Sequence, residues 1–206
     1  MTTITFKNVY VKSEAVIVGS KEKEGPLGNY FKDYSMDPYF GQKSFEQAEI
    51  EMNRLSIQKC LEKANIEKID LMYGGDLISQ LCTNYVASKI DTSFVGMYGA
   101  CSTSALTIGH ASIAIEYLKM KHVLAQTSSH TQAAERQFRY PNEYGGQKKE
   151  SSTSTVTGSG AVLLTNEFSD IKITSFTIGK VVDWNFSDVN DMGKAMVPAA
   201  YQTIME

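Results

Sequence analysis

Cysteine, proline and long apolar runs are all scarce in this chain, and each scarcity closes off a class of explanation. Three cysteines in 206 residues, Cys60, Cys82 and Cys101, are an odd number at irregular spacing. They make neither a disulfide framework nor a metal-binding pattern, and they point to a reducing, cytoplasmic-type compartment. No apolar run approaches the roughly 20 residues of a membrane-spanning helix. The first residues, Met1-Thr-Thr-Ile-Thr-Phe-Lys7, lack the basic start and apolar stretch of a secretory signal, so no leader is expected. A net charge of −3 offers no electropositive footprint, and no nucleic-acid partner is expected. Walker loops, zinc spacings, EF-hands, internal repeats and low-complexity tracts are all missing. Gly158-Ser-Gly160 sits inside an apolar strand, lacks a third glycine and opens no helix, so the dinucleotide fingerprint is not met. No cofactor and no metal are expected.

What is present alternates strands with helices. Glu14-Ala-Val-Ile-Val-Gly19 reads as a buried strand, followed by a loop over about residues 20–43 that carries Pro26, Pro38 and several aromatics. Ser44 and Gln47 have the spacing of a capping box. The helix they open runs to about Asn65, with Phe45, Ala48, Met52 and Leu55 at helical spacing. Strands are expected at Ile69–Tyr73, 94–98, His122–Gln126, Thr155–Thr165 and Ile171–Val182, and helices at Leu77–Lys89 and 105–120. Thr127–Ser154 reads as a long polar connection. The order implies βαβ units and a mostly parallel sheet. Helix 105–120 has no polar face, so it is expected to be buried on all sides at the centre of a layered fold. Pro198 suits the first turn of a final helix.

The densest signal is Phe94-Val-Gly-Met-Tyr-Gly-Ala-Cys-Ser-Thr-Ser104. Gly99 is expected to permit a sharp turn between a strand and the central helix, because it lacks a Cβ. Cys101 would then stand at the helix N-terminus, where outward N–H groups and the helix dipole favour a thiolate. This is how a nucleophile is presented on a strand–turn–helix elbow.

At Gly99-Ala-Cys-Ser-Thr-Ser104 the chain resembles the thiolase and ketosynthase superfamily. Further motifs resemble the stage V sporulation AD family: Gly74-Gly-Asp-Leu77, Thr127-Ser-Ser-His130, Ala134-Glu-Arg-Gln-Phe-Arg-Tyr-Pro141, Thr155-Val-Thr-Gly-Ser-Gly-Ala-Val162, Ile178-Gly-Lys-Val-Val-Asp183 and Met192-Gly-Lys-Ala-Met-Val-Pro-Ala-Ala200. The resemblance runs from about residue 4 to the end. It implies an α/β, thiolase-like αβαβα layered fold in a spore-forming bacterium. Residues 1–170 would form the first half, and residues 171–206 the start of a second half that the chain cuts short. The implied role is a soluble component of the spore's dipicolinic acid channel, taking dipicolinate up in sporulation and releasing it in germination. Implied partners are dipicolinic acid and other stage V sporulation A membrane proteins, with the chain peripheral at the forespore or spore inner membrane. A homodimer through the first half is a further implication. In the superfamily's enzymes the partners of the cysteine lie in the second half.

Four residues are candidates for the site. Cys101 reads either as an acyl-accepting nucleophile or as a small packable residue in a repurposed pocket. The superfamily strand order, taken as 3-2-1-4-5, separates the Cys101 and His130 strands by three spacings of ~4.8 Å, about 14 Å. His130 is therefore expected as a pocket wall and not as a base. Arg136 and Arg139 have the forked donors that suit a planar dianion such as dipicolinate, with Phe138, Tyr140 or Tyr144 offering a ring face. Surface pairing with Glu135 and Glu143 is the alternative for both arginines. His110 falls near the opposite face of its helix from Cys101, His122 begins a strand at the remote end, and Cys60 and Cys82 read as packing residues. Three functions stay open: a non-catalytic dipicolinate-binding component, an acyltransferase or ketosynthase using Cys101, and a remnant without independent function.

Overall fold

A computed structural model describes residues 1–138, 155–187 and 192–206. Eight strands and six α-helices occur among them. They are β1 (Thr2–Thr5), β2 (Tyr10–Val18), α1 (Ser20–Glu24), β3 (Asp33–Tyr34), α2 (Phe45–Ala64), β4 (Leu71–Asp76), α3 (Leu81–Ala87), β5 (Ser93–Gly96), α4 (Thr103–Tyr117), β6 (His122–Ser129), α5 (Thr131–Phe138), β7 (Gly158–Thr165), β8 (Ser175–Ile178) and α6 (Met192–Ile204).

Local chemistry explains most boundaries. Ser44 Oγ accepts from the Gln47 N–H at 3.2 Å. Gln47 Oε1 accepts from the Lys43 N–H at 3.3 Å, one residue earlier than a standard capping box would have it. Asn65 closes α2 in the left-handed conformation at φ 54°. Ser79 and Gln80 have φ of 61° and 70°, which delays α3 from residue 77 to Leu81. The expected loop over 20–43 contains α1, a 3₁₀ turn (Gly28–Tyr30) and β3, which pairs parallel with the end of β2. β6 runs through Ser129, and the connection expected after it begins with α5. Only the middle of the expected strand 171–182 forms β8. Pro198 is not in the first turn of α6 but inside it.

The main sheet has the order β3-β2-β7-β6-β4-β5. β4 pairs parallel with β5 and β6, while β7 lies antiparallel between β2 and β6. The 3-2-1-4-5 order is therefore wrong for this chain. Numbering the principal strands β2, β4, β5, β6 and β7 as one to five, the order is 3-2-4-5-1. The correction matters, because β4 alone separates β5 from β6.

Alternation along the strands divides the core between the two faces of the sheet. Leu71, Tyr73, Val123 and Ala125 join Ala111, Ala114 and Ile115 of α4. Met72, Leu124 and Leu163 join Ile57 and Cys60 of α2 and Val86 of α3. β1 and β8 form a separate antiparallel pair. They reach α4 from its far side through Phe6 and Phe176. The described layers are thus α2 and α3, the six-stranded sheet, α4, then β1 and β8. Contrary to the all-round burial expected of α4, Ser104, Ala105 and Tyr117 are exposed. The described residues cover the sheet side of the helix fully and the other side only in part.

Gly109 joins α4 to this outer pair. A Cβ there would lie 2.5 Å from two ring atoms of Phe176. The Gly109→Val variant is expected to lose about 1–3 kcal/mol by overpacking. In a Phe176→Ala background the same valine should cost less than about 0.5 kcal/mol, because its obstacle is gone. Urea midpoints of the four chains measure this, and an equal cost in both backgrounds would refute the contact.

Candidate functional site

The elbow forms where β5 hands over to α4. The Met97 N–H donates to Gly74 O at 2.8 Å, which ties the end of β5 to β4. A 3₁₀ turn, Ala100–Ser102, then leads directly into α4. The left-handed residue is Ala100, at φ 47°, and not Gly99, at φ −140°. Gly99 is needed for space: a Cβ there would stand 2.8 Å from Ser102 Oγ. Hydroxyls lock the turn. Ser102 Oγ donates to Gly99 O at 2.7 Å, Thr103 Oγ1 donates to Ala100 O at 2.7 Å, and the Gly99 N–H donates to Thr103 Oγ1 at 3.1 Å. A positive φ at a non-glycine residue is strained backbone, and here it presents Cys101 outward. Cys101 is free and exposed, whereas Cys60 and Cys82 are free and buried. Burial pushes both buried thiols upward in pKa, with Glu49, Asp76 and Glu46 adding to the rise at Cys82.

Two of the chain's three histidines, His110 and His130, make ring hydrogen bonds away from Cys101. His110 Nδ1 lies 3.0 Å from Leu106 O, and its ring sits between Tyr73 and Phe176. His122 opens β6 and is pushed down in pKa chiefly by burial, with Lys121 adding to the fall. His130 is buried just past the end of β6. Its Nδ1 accepts from the Gln132 N–H at 3.2 Å, so Nε2 carries the proton it donates to Pro38 O at 2.8 Å. The ring stacks on Phe45, which stacks in turn on Tyr39.

Two strand spacings of ~4.8 Å, about 10 Å, separate the Cys101 and His130 strands. The two residues also belong to opposite faces of the sheet. Cys101 precedes α4, while His130 packs against the first residue of α2. The structure does not bring them together. Arg136 falls on α5 with its side chain outside the described part, and Arg139 lies outside the described residues, as do Tyr140, Glu143 and Tyr144.

Sequence reasoning missed a buried polar layer on the α2 side. Glu49 lies against Asp76 and Ser128 at the C-terminal ends of β4 and β6. Ser128 Oγ donates to Glu49 Oε1 at 2.7 Å. Asp76 accepts from the Ile78 N–H at 3.0 Å, and from both the Thr83 N–H and Thr83 Oγ1 at 2.8 Å. Deeper along the helix, Asn53 Oδ1 accepts from Gln126 Nε2 at 2.5 Å and from Ser159 Oγ at 2.8 Å. The signal was legible: Glu49, Asn53, Ser56 and Cys60 recur at helical spacing beside the apolar stripe.

A separate groove of about 570 Å³ lies on the outer surface between α2 and α3, floored by Ile50, Ile57, Leu61, Val86 and Ile90. It opens on the face of the sheet opposite α4. Among the described residues, no group of three or more His, Cys, Asp or Glu side chains is placed to hold a metal ion. No described helix is long and apolar enough to cross a membrane.

A strand–turn–helix elbow carrying a cysteine, set over a layered mixed sheet, gives the chain a thiolase-like fold. Solved structures agree on the fold. OleA of Xanthomonas campestris bound with cerulenin matches with a TM-score of 0.65 at 14% identity, over 98% of this chain and 70% of that one. The 3-oxoacyl-(acyl carrier protein) synthase III of Xanthomonas oryzae pv. oryzae gives 0.61 at 14% identity, over 98% and 73%. The particular family is sharper: the model for stage V sporulation protein AD matches residues 1–206, and the chain belongs to that family. It is 48% identical over 201 residues to stage V sporulation protein AD of Bacillus subtilis strain 168. That alignment covers 96% of this chain and 60% of the relative's length.

Thiol accessibility follows directly from the burial pattern. A disulfide reagent such as dithionitrobenzoate is expected to titrate one thiol in the native chain, Cys101, and all three after denaturation. Two or more thiols reacting under native conditions would contradict the burial of Cys60 and Cys82.

Proposed function

We propose that this chain is a non-catalytic component of the spore's dipicolinic acid channel, one that binds dipicolinate for uptake in sporulation and release in germination. Membership of the stage V sporulation protein AD family along residues 1–206 carries this reading. Acyl transfer needs a base in hydrogen-bond reach of the nucleophile, and among the described residues the His110 and His130 rings are hydrogen-bonded elsewhere. In this reading Cys101 and His130 are landmarks of the ligand-binding region. Arg136 and Arg139 supply the forked donors for two carboxylates. The chain acts with other stage V sporulation A membrane proteins, peripheral at the forespore or spore inner membrane, and is able to pair with a second copy through its first half. Residues 1–170 serve as that half, and residues 171–206 begin a second.

One observation favours acyl transfer as a second reading: Cys101 is exposed at the start of a helix. A single sample separates the two. Calorimetry with dipicolinate is expected to show binding that Arg136→Ala and Arg139→Ala each weaken about tenfold, the loss of one good charge-assisted contact. Incubation with acyl-coenzyme A should leave the intact mass unchanged. An acyl adduct on Cys101 without dipicolinate binding would overturn the proposal in favour of the enzyme. Unchanged affinity in both variants would remove the arginines from it.

A further inference from the structure

We propose that copies of this chain stack head to tail, with α6 of one copy seated in the groove between α2 and α3 of the next. The inference goes beyond the dipicolinate reading and does not depend on it. It starts from α6, the helix Met192–Ile204. One side of that helix is held. Pro198 is buried, and Thr203 lies against Gly179, where an added Cβ would meet Thr203 Oγ1 at 2.5 Å. At about 100° per residue, Val197, Tyr201 and Ile204 fall together on the opposite side. They are 62%, 64% and 81% exposed. Lys194 is the charged residue of α6, and its Nζ lies 5.3 Å from the centre of the Phe186 ring. The stripe itself carries three large side chains and no charge, a surface that gains by leaving water.

The groove has the length and the pattern to receive that stripe. Along α2 its lining runs from Gln47 to Leu61, about 21 Å of helix. The 13 residues of α6 span about 20 Å. Within the groove Ile50, Arg54, Ile57 and Leu61 recur in steps of four, three and four, the ridge along which a second helix packs. Val86 and Ile90 form the facing wall. Charge fits as well. Arg54 needs no partner from outside: Glu51 accepts its Nε at 2.9 Å and its Nη2 at 2.7 Å, and Gln58 accepts Nη1 at 2.8 Å. Lys89 is exposed on the rim and has no ion-pair partner among the described residues. The last turn of α6 carries no basic residue. The partial negative charge of its final carbonyls therefore meets no cation of its own helix and suits Lys89.

The two surfaces lie on opposite outer layers of the fold. The groove belongs to the layer of α2 and α3. Helix α6 belongs to the layer of β1 and β8: Gly179 directly follows β8, and the Met1 ammonium before β1 lies 3.5 Å from Glu206 Oε1, just past α6. One molecule therefore cannot fill its own groove with its own helix. A second copy can. A contact between unlike surfaces is heterologous, so every added copy leaves an open groove at one end and an open helix at the other. Pairing of α6 with α6 is the isologous alternative, and it leaves the groove empty.

Sedimentation equilibrium on the full chain, without dipicolinate, tests the stack. The average mass is expected to rise from 22.8 kDa to more than twice that value as concentration increases from about 5 to 500 μM. Two double variants at exposed positions separate the surfaces. Tyr85→Glu with Lys89→Glu alters the groove rim, and Tyr201→Lys with Ile204→Lys alters the helix. Each alone should stay at the monomer mass. Mixed in equal amounts, they should approach twice the monomer mass and go no further, because one intact helix and one intact groove remain to meet. A constant monomer mass in the unaltered chain would overturn the proposal, whatever the variants do. So would a groove variant that associates as the unaltered chain does, the result expected of α6 on α6, or a mixture that stays at the monomer mass.

Discussion

Burial of β4 on both faces is the constraint from which the site follows. All six of its residues are buried. It is flanked by β5 on one edge and β6 on the other, in parallel register on both. A strand so enclosed must be narrow at the top, where the chains around it turn. Gly75 shows how tight that is: a Cβ there would meet Met97 O at 2.1 Å. The cysteine turn is thereby pressed against the end of β4. The same strand then divides the two edges that carry Cys101 and His130. Their faces differ as well, because α4 begins on one side of the sheet and α2 on the other. Proximity along the strand-end rim does not become a catalytic pair.

The elements and the order in which they come were legible; their neighbours were not. The apolar runs at 14–19, 69–73 and 122–126 each overlap a strand that formed, with Gly19 and Ile69-Asp70 outside it. The helix opened by Ser44 closed at Asn65 as its spacing required. The elbow was readable as a strand, a turn and a helix because Gly99-Ala-Cys-Ser-Thr is a local signal. Strand order is another kind of quantity. It depends on pairing between residues far apart in the chain, and β7 reaches its place between β2 and β6 only through such pairings. Its alternation of buried residues suits a parallel or an antiparallel neighbour alike. Gly99 is needed at the turn for want of a Cβ, since it faces Ser102 Oγ three residues ahead, while Ala100 takes the strained angle.

The polar layer under α2 runs beside the apolar stripe of the helix and shares its spacing. Phe45, Ala48, Met52 and Leu55 describe one edge of the buried face. Glu49, Asn53 and Ser56 describe the rest of it, and each is nearly or fully enclosed. Such groups are tolerated in a core when partners meet them. β6 and β7 supply those partners at alternate positions: Gln126 and Ser128 on one strand, Ser159 on the other. Side chains of this kind fix the register of a helix against a sheet, because sliding α2 by one residue would leave several donors and acceptors unmet at about 1–3 kcal/mol each.

That layer and the elbow occupy opposite faces of the same strand ends, and they differ in chemistry. On the α4 side lie an exposed thiol, a strained turn and hydroxyls whose bonds close within the turn. The α2 side holds enclosed acids, a fixed imidazole tautomer and a surface turn held by that imidazole. A nucleophile needs a base that faces it, and the imidazole at this rim faces away, with both nitrogens bonded. Among the described residues the fold keeps the thiolase-like elbow on one side of the rim, and on the other His130 ties the turn at Pro38 to the start of α5.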